Sequence, residues 1–359
     1  SILSYTVHNI KIGISDFNVL PDHSDNQKFF DIYKNNFNKE GLTPIKLIIS
    51  SKKDKITTPD NIEKIYNLIH KIQKNKNVKA INSIVSIDAN ISMRQYKYIY
   101  NNLNHLDKNL KILFKRTTRE NFTTATIISK HEPNSTETKD LVKYLRNIKI
   151  PNGLDLQLTG IPVNNVDVVE SILKYLPHSL IWIVSLTYII LLVLLRSLFL
   201  PLQAIFMNIL SLCASYGVLV FIFQEGYLHE LLHFKPQGMT DVSLIIIIFC
   251  ALFGFSMDYE VFLLTRIHEA YNTTKNNKQS IIFGIVKSSR IITSAALIVI
   301  ILCGSFMFAD VIMVKEFGLG IAVAIFVDAF AIRTILVPAI MALSKEWNWY
   351  LPKFLQRNK

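Results

Sequence analysis

Five stretches of this chain are each long and apolar enough to cross a membrane, and that feature limits the fold more than any other. A hydrocarbon core roughly 30 Å thick requires about 20 mostly apolar residues in helix. Such windows run over about 177–195, 201–223, 242–265, 290–309 and 317–343. Half of the 359 residues are hydrophobic and only 18% are charged, the balance of a membrane protein. The charge is unevenly placed: residues 1–160 hold 25 basic and 15 acidic side chains and contain none of the five windows. Two parts made for different solvents are therefore expected.

In the polar part, the runs TPIKLIIS (43–50), VKAINSIVSI (78–87), NFTTATIISK (121–130) and LDLQLTGI (154–161) have the apolar and β-branched content of strands. Residues 59–73, 91–106 and 135–148 between them have helical spacing, the first opened by Thr58 and Pro59 in cap and first-turn positions. Alternation of this kind predicts an α+β domain with helices packed on one sheet, of ferredoxin-like arrangement. The expected organisation is this domain over 1–162, a helical connector over 163–176, a transmembrane domain over 177–345 and a tail over 346–359. An amphipathic helix leads from the last strand straight into the first span, a route by which motion of the domain would reach the membrane.

Lys and Arg collect on the cytoplasmic side of a membrane. Residues 266–290 hold Arg266, Lys275, Lys278, Lys287 and Arg290, and the tail adds Lys345, Lys353, Arg357 and Lys359. The opposite loops, 225–241 and 310–316, contribute only Lys235 and Lys315. The C-terminus is thus expected in the cytoplasm and residues 1–176 outside it, in the cell (inner) membrane. Trp347, Trp349 and Tyr350 read as an interfacial aromatic belt. The chain opens on Ser with no signal peptide ahead of a domain expected outside, which suggests a sequence that begins partway through a larger protein.

A net charge of +12 raises nucleic acid as a partner, but the basic residues are interleaved with acids and Asn rather than gathered on a reading helix. Cys213, Cys250 and Cys303 all fall in apolar runs, so no disulfide framework or metal cluster is indicated. Neither a nucleophile elbow nor a phosphate-cradling glycine loop is present. The run EGYLHELLH gathers His229, Glu230 and His233; it is read as lacking the second His of a zincin pair at the required spacing, and as a solvated outer loop. No enzyme, cofactor or metal is expected.

The residues that call for an explanation lie inside the spans. An Asp, Lys or Arg at the centre of a spanning helix costs about 2.5–3.5 kcal/mol, and such groups mark ion or substrate paths or interior pairs. In GFSMDYEVFLLTR (254–266), Asp258 sits 16 residues after Val242, about 24 Å along the helix. Desolvation would bring such a carboxyl within reach of physiological protonation. Asp258 reads as a proton carrier or as a satisfied structural acid. Tyr259 can bond to a carboxylate of a facing helix. Gly254 shares the Asp258 face and would let another helix approach. Glu260, about 200° around from Asp258, is expected in packing or an inner cavity. Arg266 is expected to anchor at the membrane edge. Asp328 and Arg333, about 140° apart on an α-helix, are not expected to pair with each other. Each should bond to a neighbouring helix, with Arg266 or a backbone group as partner for Asp328.

GFSMDYEVFLLTRIHEAY closely resembles a signature helix of the MmpL branch of the resistance-nodulation-division (RND) transporters. GLGIAVAIFVDAFAIRTILVPAIMALSKEWNWYLP is similar to the last helix of that branch, LLRSLFLPLQAIFMNILSLCASYGVLVFIFQEG resembles one of its helix connections, and DFNVLPDHSDNQKFF resembles the start of its second outer porter domain. The resemblance implies the C-terminal half of an exporter of lipids or other lipophilic molecules, driven by the proton motive force. It makes Asp258 and Tyr259 a proton-relay pair that bonds crosswise to the matching Tyr and Asp of a first half. Arg266, Asp328 and Arg333 match positions that the family keeps charged. Five spans stand here where the family half has six, so a missing N-terminal half or a partner chain is expected to supply the reciprocal pair. Membrane lipids and a lipophilic substrate are the other expected partners, and the oligomeric state is open. The alternative is a non-transporting membrane scaffold or lipid-binding sensor.

Overall fold

The computed structural model describes residues 10–15, 19, 24–36, 43–88, 90–101, 108–236 and 238–352. Residues 1–9, together with Lys353, Arg357 and Lys359 of the expected basic tail, lie outside these. The chain divides into two compact units, Phe29–Ser171, and Ile172–Lys359 with the segment up to Lys28; the first bound falls within helix α1 (Asp25–Asn36).

The first unit is built on four strands, β2 (Ile45–Ser51), β3 (Val78–Asn82), β4 (Phe122–Ser129) and β5 (Leu154–Thr159). They form one sheet in the order β3, β4, β2, β5, with every neighbouring pair antiparallel. Alternation decides what the sheet buries: Ile45, Leu47 and Ile49 of β2 are fully enclosed, as are Ala125 and Ile127 of β4, while Lys46 faces out. Helix α2 (Pro59–Gln73) covers that core with Ile62, Ile65, Ile69 and Ile72, and α5 (Thr136–Arg146) with Leu141, Val142 and Leu145. Thr58 caps α2 by accepting from Asn61 N, with Pro59 at the first helical position. Of the helix expected over 91–106 the structure describes α3 (Met93–Asn101), residues 102–106 lying outside the described residues, and a further helix, α4 (Lys108–Thr117), follows. At the start of α3, Gln95 Oε1 accepts from Ser92 N at 2.7 Å and from Ser92 Oγ at 2.8 Å.

Five helices are long and apolar enough to span a membrane, four wholly within the second unit and one entering it from the first, so this is a multi-pass membrane protein. They are α6 (Ile161–Leu195), α7 (Phe199–Leu219), α9 (Val242–Thr274), α10 (Asn277–Ser305) and α11 (Ile312–Phe326) with its continuation. The expected connector and first span are one helix, α6, which contains Pro177 without ending there. Two segments wind as π-helix, Val220–Gln224 after α7 and Val327–Leu336 after α11; the latter leads into α12 (Val337–Ser344).

Small residues set the helix spacing. A Cβ added to Gly284 of α10 would stand 2.3 Å from Ile267 Cγ1 and 3.0 Å from Ile267 N on α9, so the two backbones meet there. Ser211 and Ser215 of α7 donate to Ala324 O and Gly320 O of α11 at 3.0 and 2.8 Å. These hydroxyls bond across helices where lipid offers no partner.

A short strand, β1 (Ile12–Gly13), pairs in parallel with β6 (Thr240–Asp241), which leads into α9. Asp241 fixes the junction, accepting from Ser243 N at 2.8 Å as the N-cap of α9 and from Ser15 N at 2.7 Å. Residues 10–15 therefore group with the helices and not with the sheet domain expected to begin at residue 1.

Candidate functional site

Helix α9 packs against α7, α10 and α11, and its polar residues sort by face. Ser256 and Glu260, four apart, point to the same side and are buried, whereas Gly254, Phe255 and Asp258 are exposed and Tyr259 is half-buried. The three adjacent side chains Asp258, Tyr259 and Glu260 thus enter different surroundings.

On the buried side, Ser256 is the meeting point of three helices. Its Oγ lies within hydrogen-bond reach of Asn208 Oδ1 from α7 and, at 3.0 Å, of Asp328 Oδ2. Arg333 Nη2 donates to Asp328 Oδ2 at 2.5 Å, to Ser256 O at 2.6 Å and to Ser256 Oγ at 3.3 Å. Asn208, Ser256, Asp328 and Arg333 are all at least nine-tenths buried. Two donors of Arg333, Nε and Nη1, have no partner among the described residues. Glu260 is equally buried, with Arg333 and Asp328 as its charged neighbours.

The Asp328 to Arg333 ion pair overturns the expectation that these residues point apart. That expectation assumed α-helical winding, in which five residues turn through about 140° beyond a full circle. The pair lies in the π-helical stretch Val327–Leu336, where i to i+5 bonding places residues five apart on one side. The expected partner for Asp328 is also corrected: Arg266 bonds instead to Glu269, at 2.9 Å, and lies 5.4 Å from the Phe262 ring centre. The Arg266 side chain is half-exposed.

The Arg333 guanidinium also lies over the ring of Tyr259, 5.3 Å from its centre. This contact joins the buried network to the exposed side of α9. On that side Asp258 makes no hydrogen bond or ion pair among the described residues. A Cβ added to Gly254 would meet nothing within 4 Å, so Gly254 is not a point of close approach among the described residues. Close approach falls instead at Gly284, Gly318 and Gly320. The expected aromatic belt divides too. Trp347 and Tyr350 are exposed, but Trp349 stacks on Tyr271 at 3.8 Å and donates to Asn277 Oδ1 at 3.0 Å.

Asn208 and Ser256 were not singled out from the sequence. The available signal was a polar side chain in an apolar helix, and for Ser256 its spacing of four from Glu260. The run His229–His233 does carry the His-Glu-x-x-His spacing of zincins, so the backbone and not the spacing sets it aside. The turn α8 (His229–Leu232) has four residues, and His233 lies beyond it in the left-handed region at φ 48°. The one-sided helical pair that holds zinc is not formed. His229 Nδ1 is within 2.8 Å of Gly226 O, and no three potential metal ligands cluster among the described residues.

The MMPL family profile matches residues 18–358. The chain belongs to the MMPL family. Among MMPL relatives it is 35% identical over 237 residues to membrane protein YdfJ of Bacillus subtilis, covering 66% of this chain and 33% of that protein. It is 41% identical over 181 residues to the mycolic acid-containing lipids exporter MmpL11 of Mycolicibacterium smegmatis, covering 50% of this chain and 19% of that protein. It is also 41% identical over 179 residues to the heme uptake protein MmpL11 of Mycobacterium tuberculosis, covering 50% and 18%. The chain spans a third or less of the length of each.

Proposed function

We propose that this chain is the C-terminal half of a proton-driven MmpL-type exporter of lipids or other lipophilic compounds in the cell membrane. The observation that carries the reading is the exposed carboxyl of Asp258 within the membrane-length helix α9, beside a tyrosine ring that a buried arginine holds. A carboxylate facing hydrocarbon is costly, so this side of α9 belongs against another polar surface. A first half, on the same or a partner polypeptide, would supply it with a reciprocal Asp and Tyr. Proton binding at Asp258 then neutralises the interface, and proton release restores the charge.

Arg333 has a positioning role in this scheme, since Asp328 and Ser256 hold the guanidinium that lies over Tyr259. Glu260 belongs to the same network rather than to the relay. The strand order β3, β4, β2, β5 supports a ferredoxin-like porter domain, and the basic residues of 266–290 support its placement outside the cell, with the C-terminus in the cytoplasm. The name of one relative as an exporter of lipids supports the substrate class; the name heme uptake protein for another supports a lipophilic cargo without fixing the direction.

The test is Asp258→Asn in the full-length protein, reconstituted in proteoliposomes with an imposed pH gradient. Gradient-driven lipid movement should fall to the level of empty liposomes while the protein stays folded. Movement with unchanged dependence on the gradient would remove Asp258 from the mechanism. A scaffold would show no gradient-dependent movement even with Asp258 in place.

A further inference from the structure

Helix α10 differs from its neighbours in charge. From Ala270 to Ala309 the sequence has four basic residues, Lys275, Lys278, Lys287 and Arg290, and no Asp or Glu. Lys278, Lys287 and Arg290 are on the helix itself and exposed; Lys287 and Arg290 lie within its length, and neither has an acidic partner among the described residues. The other side of α10, through Ile281, Gly284, Ser288, Ile292 and Ala296, is buried.

The exposed residues form one stripe. At 100° per residue, Phe283, Lys287, Arg290, Ser294, Ile298 and Ile301 all lie within about 60° of a common line. Each is exposed, with Ile298 and Ile301 about two-thirds so. The Lys287 ammonium lies 5.4 Å from the Phe283 ring centre, which keeps it on the stripe. Read along the helix, the stripe passes from two cations to a hydroxyl and then to aliphatic side chains. From Arg290 to Ile301 it covers about 16 Å, roughly half of a 30 Å hydrocarbon core and so one leaflet.

We infer that this stripe is a binding site for one anionic phospholipid, its phosphate against Lys287 and Arg290 and an acyl chain along Leu297, Ile298 and Ile301. Charge complementarity commits the occupant. A protein helix seated here would have to cover two unpaired cations, whereas an anionic headgroup neutralises them and its chain matches the aliphatic residues beyond. A zwitterionic lipid offers the same phosphate but brings its own ammonium group. Such a site does not depend on how the transporter is powered.

The experiment is native mass spectrometry of the full-length protein titrated with phosphatidylglycerol or phosphatidylcholine. Phosphatidylglycerol should bind more tightly. The double substitution Lys287→Gln with Arg290→Gln should weaken it about thirtyfold, at about 1 kcal/mol per basic residue near a charged surface. Phosphatidylcholine binding should hardly change, and the charge-conserving Lys287→Arg with Arg290→Lys should keep the preference. As a control, Arg266→Gln with Lys345→Gln removes two cations off the stripe and should weaken binding less than threefold. Equal losses in the control and the test variant, or no loss in either, would overturn the site. So would a photo-crosslinker at Ile298 that labels protein instead of lipid.

Discussion

Replacing Arg333 with Met, Asp328 with Leu, and then both, asks whether the buried pair acts as a unit. Arg333 Nη2 makes three hydrogen bonds, two of them at 2.5 and 2.6 Å, and the two side chains are 4% and 7% exposed. Removing one partner of a buried ion pair strands the other charge, at a cost of about 3–5 kcal/mol. Within a membrane the unfolded helices still find polar partners, which moves the expectation to the lower end, about 3 kcal/mol for either single substitution. The double substitution strands neither partner of the pair, although Glu260 loses its cationic neighbour, and should cost less than the sum of the singles, a coupling of about 2–3 kcal/mol. Unfolding by sodium dodecyl sulfate in mixed micelles, followed by circular dichroism, measures all four corners of the cycle. Costs that add to within about 0.5 kcal/mol would refute the pairing and with it the π-helical account of how the two residues meet.

Two further predictions concern other parts of the chain. Gly284→Val should destabilise the helical unit by about 1–3 kcal/mol, since its Cβ would collide with the Ile267 backbone and not only with a movable side-chain end; the same micellar unfolding measures it. In the sheet domain, burial pushes the phenols of Tyr96 and Tyr100 above their usual range, and Tyr100 Oη donates to Ile84 O at 2.5 Å. A raised value in the fold means that the protonated phenol is favoured there. Its contribution is complete below about pH 10 and is lost as the pH rises beyond the ordinary phenol range. Tyr100→Phe should therefore flatten the alkaline arm of a stability profile measured by thermal unfolding between pH 8 and 11, and an unchanged arm would count against it.

Much of this architecture is written locally. Membrane-length apolar runs depend only on composition along the chain, and α2 begins where Thr58 and Pro59 place it because a cap is a matter of adjacent residues. The strand runs were legible for the same reason, since β2 and β4 alternate between enclosed and open positions. What a sequence does not print is winding. Nothing in VDAFAIRTIL announces a π-helix, so an angle taken from α-helical winding misplaces Asp328 and Arg333. Partners distant in sequence were equally hidden: Asn208 and Ser256 are 48 residues apart, and Ile12 meets Thr240 across more than half the chain. The separation of Asp258 from Glu260 was readable because it needs only the period of an α-helix, which α9 keeps.

The wide winding after Phe326 ties two quantities that are usually independent. As long as Val327–Leu336 keeps five-residue spacing, Asp328 and Arg333 can reach each other and Tyr259 has a cation over its ring. Retightening those ten residues into an ordinary α-helix would swing the guanidinium away and turn everything after it, Val337 to Ser344 included, about the helix axis. Pitch and ion pairing thus form a single mechanical coordinate, a screw thread with the salt bridge as its locking pin.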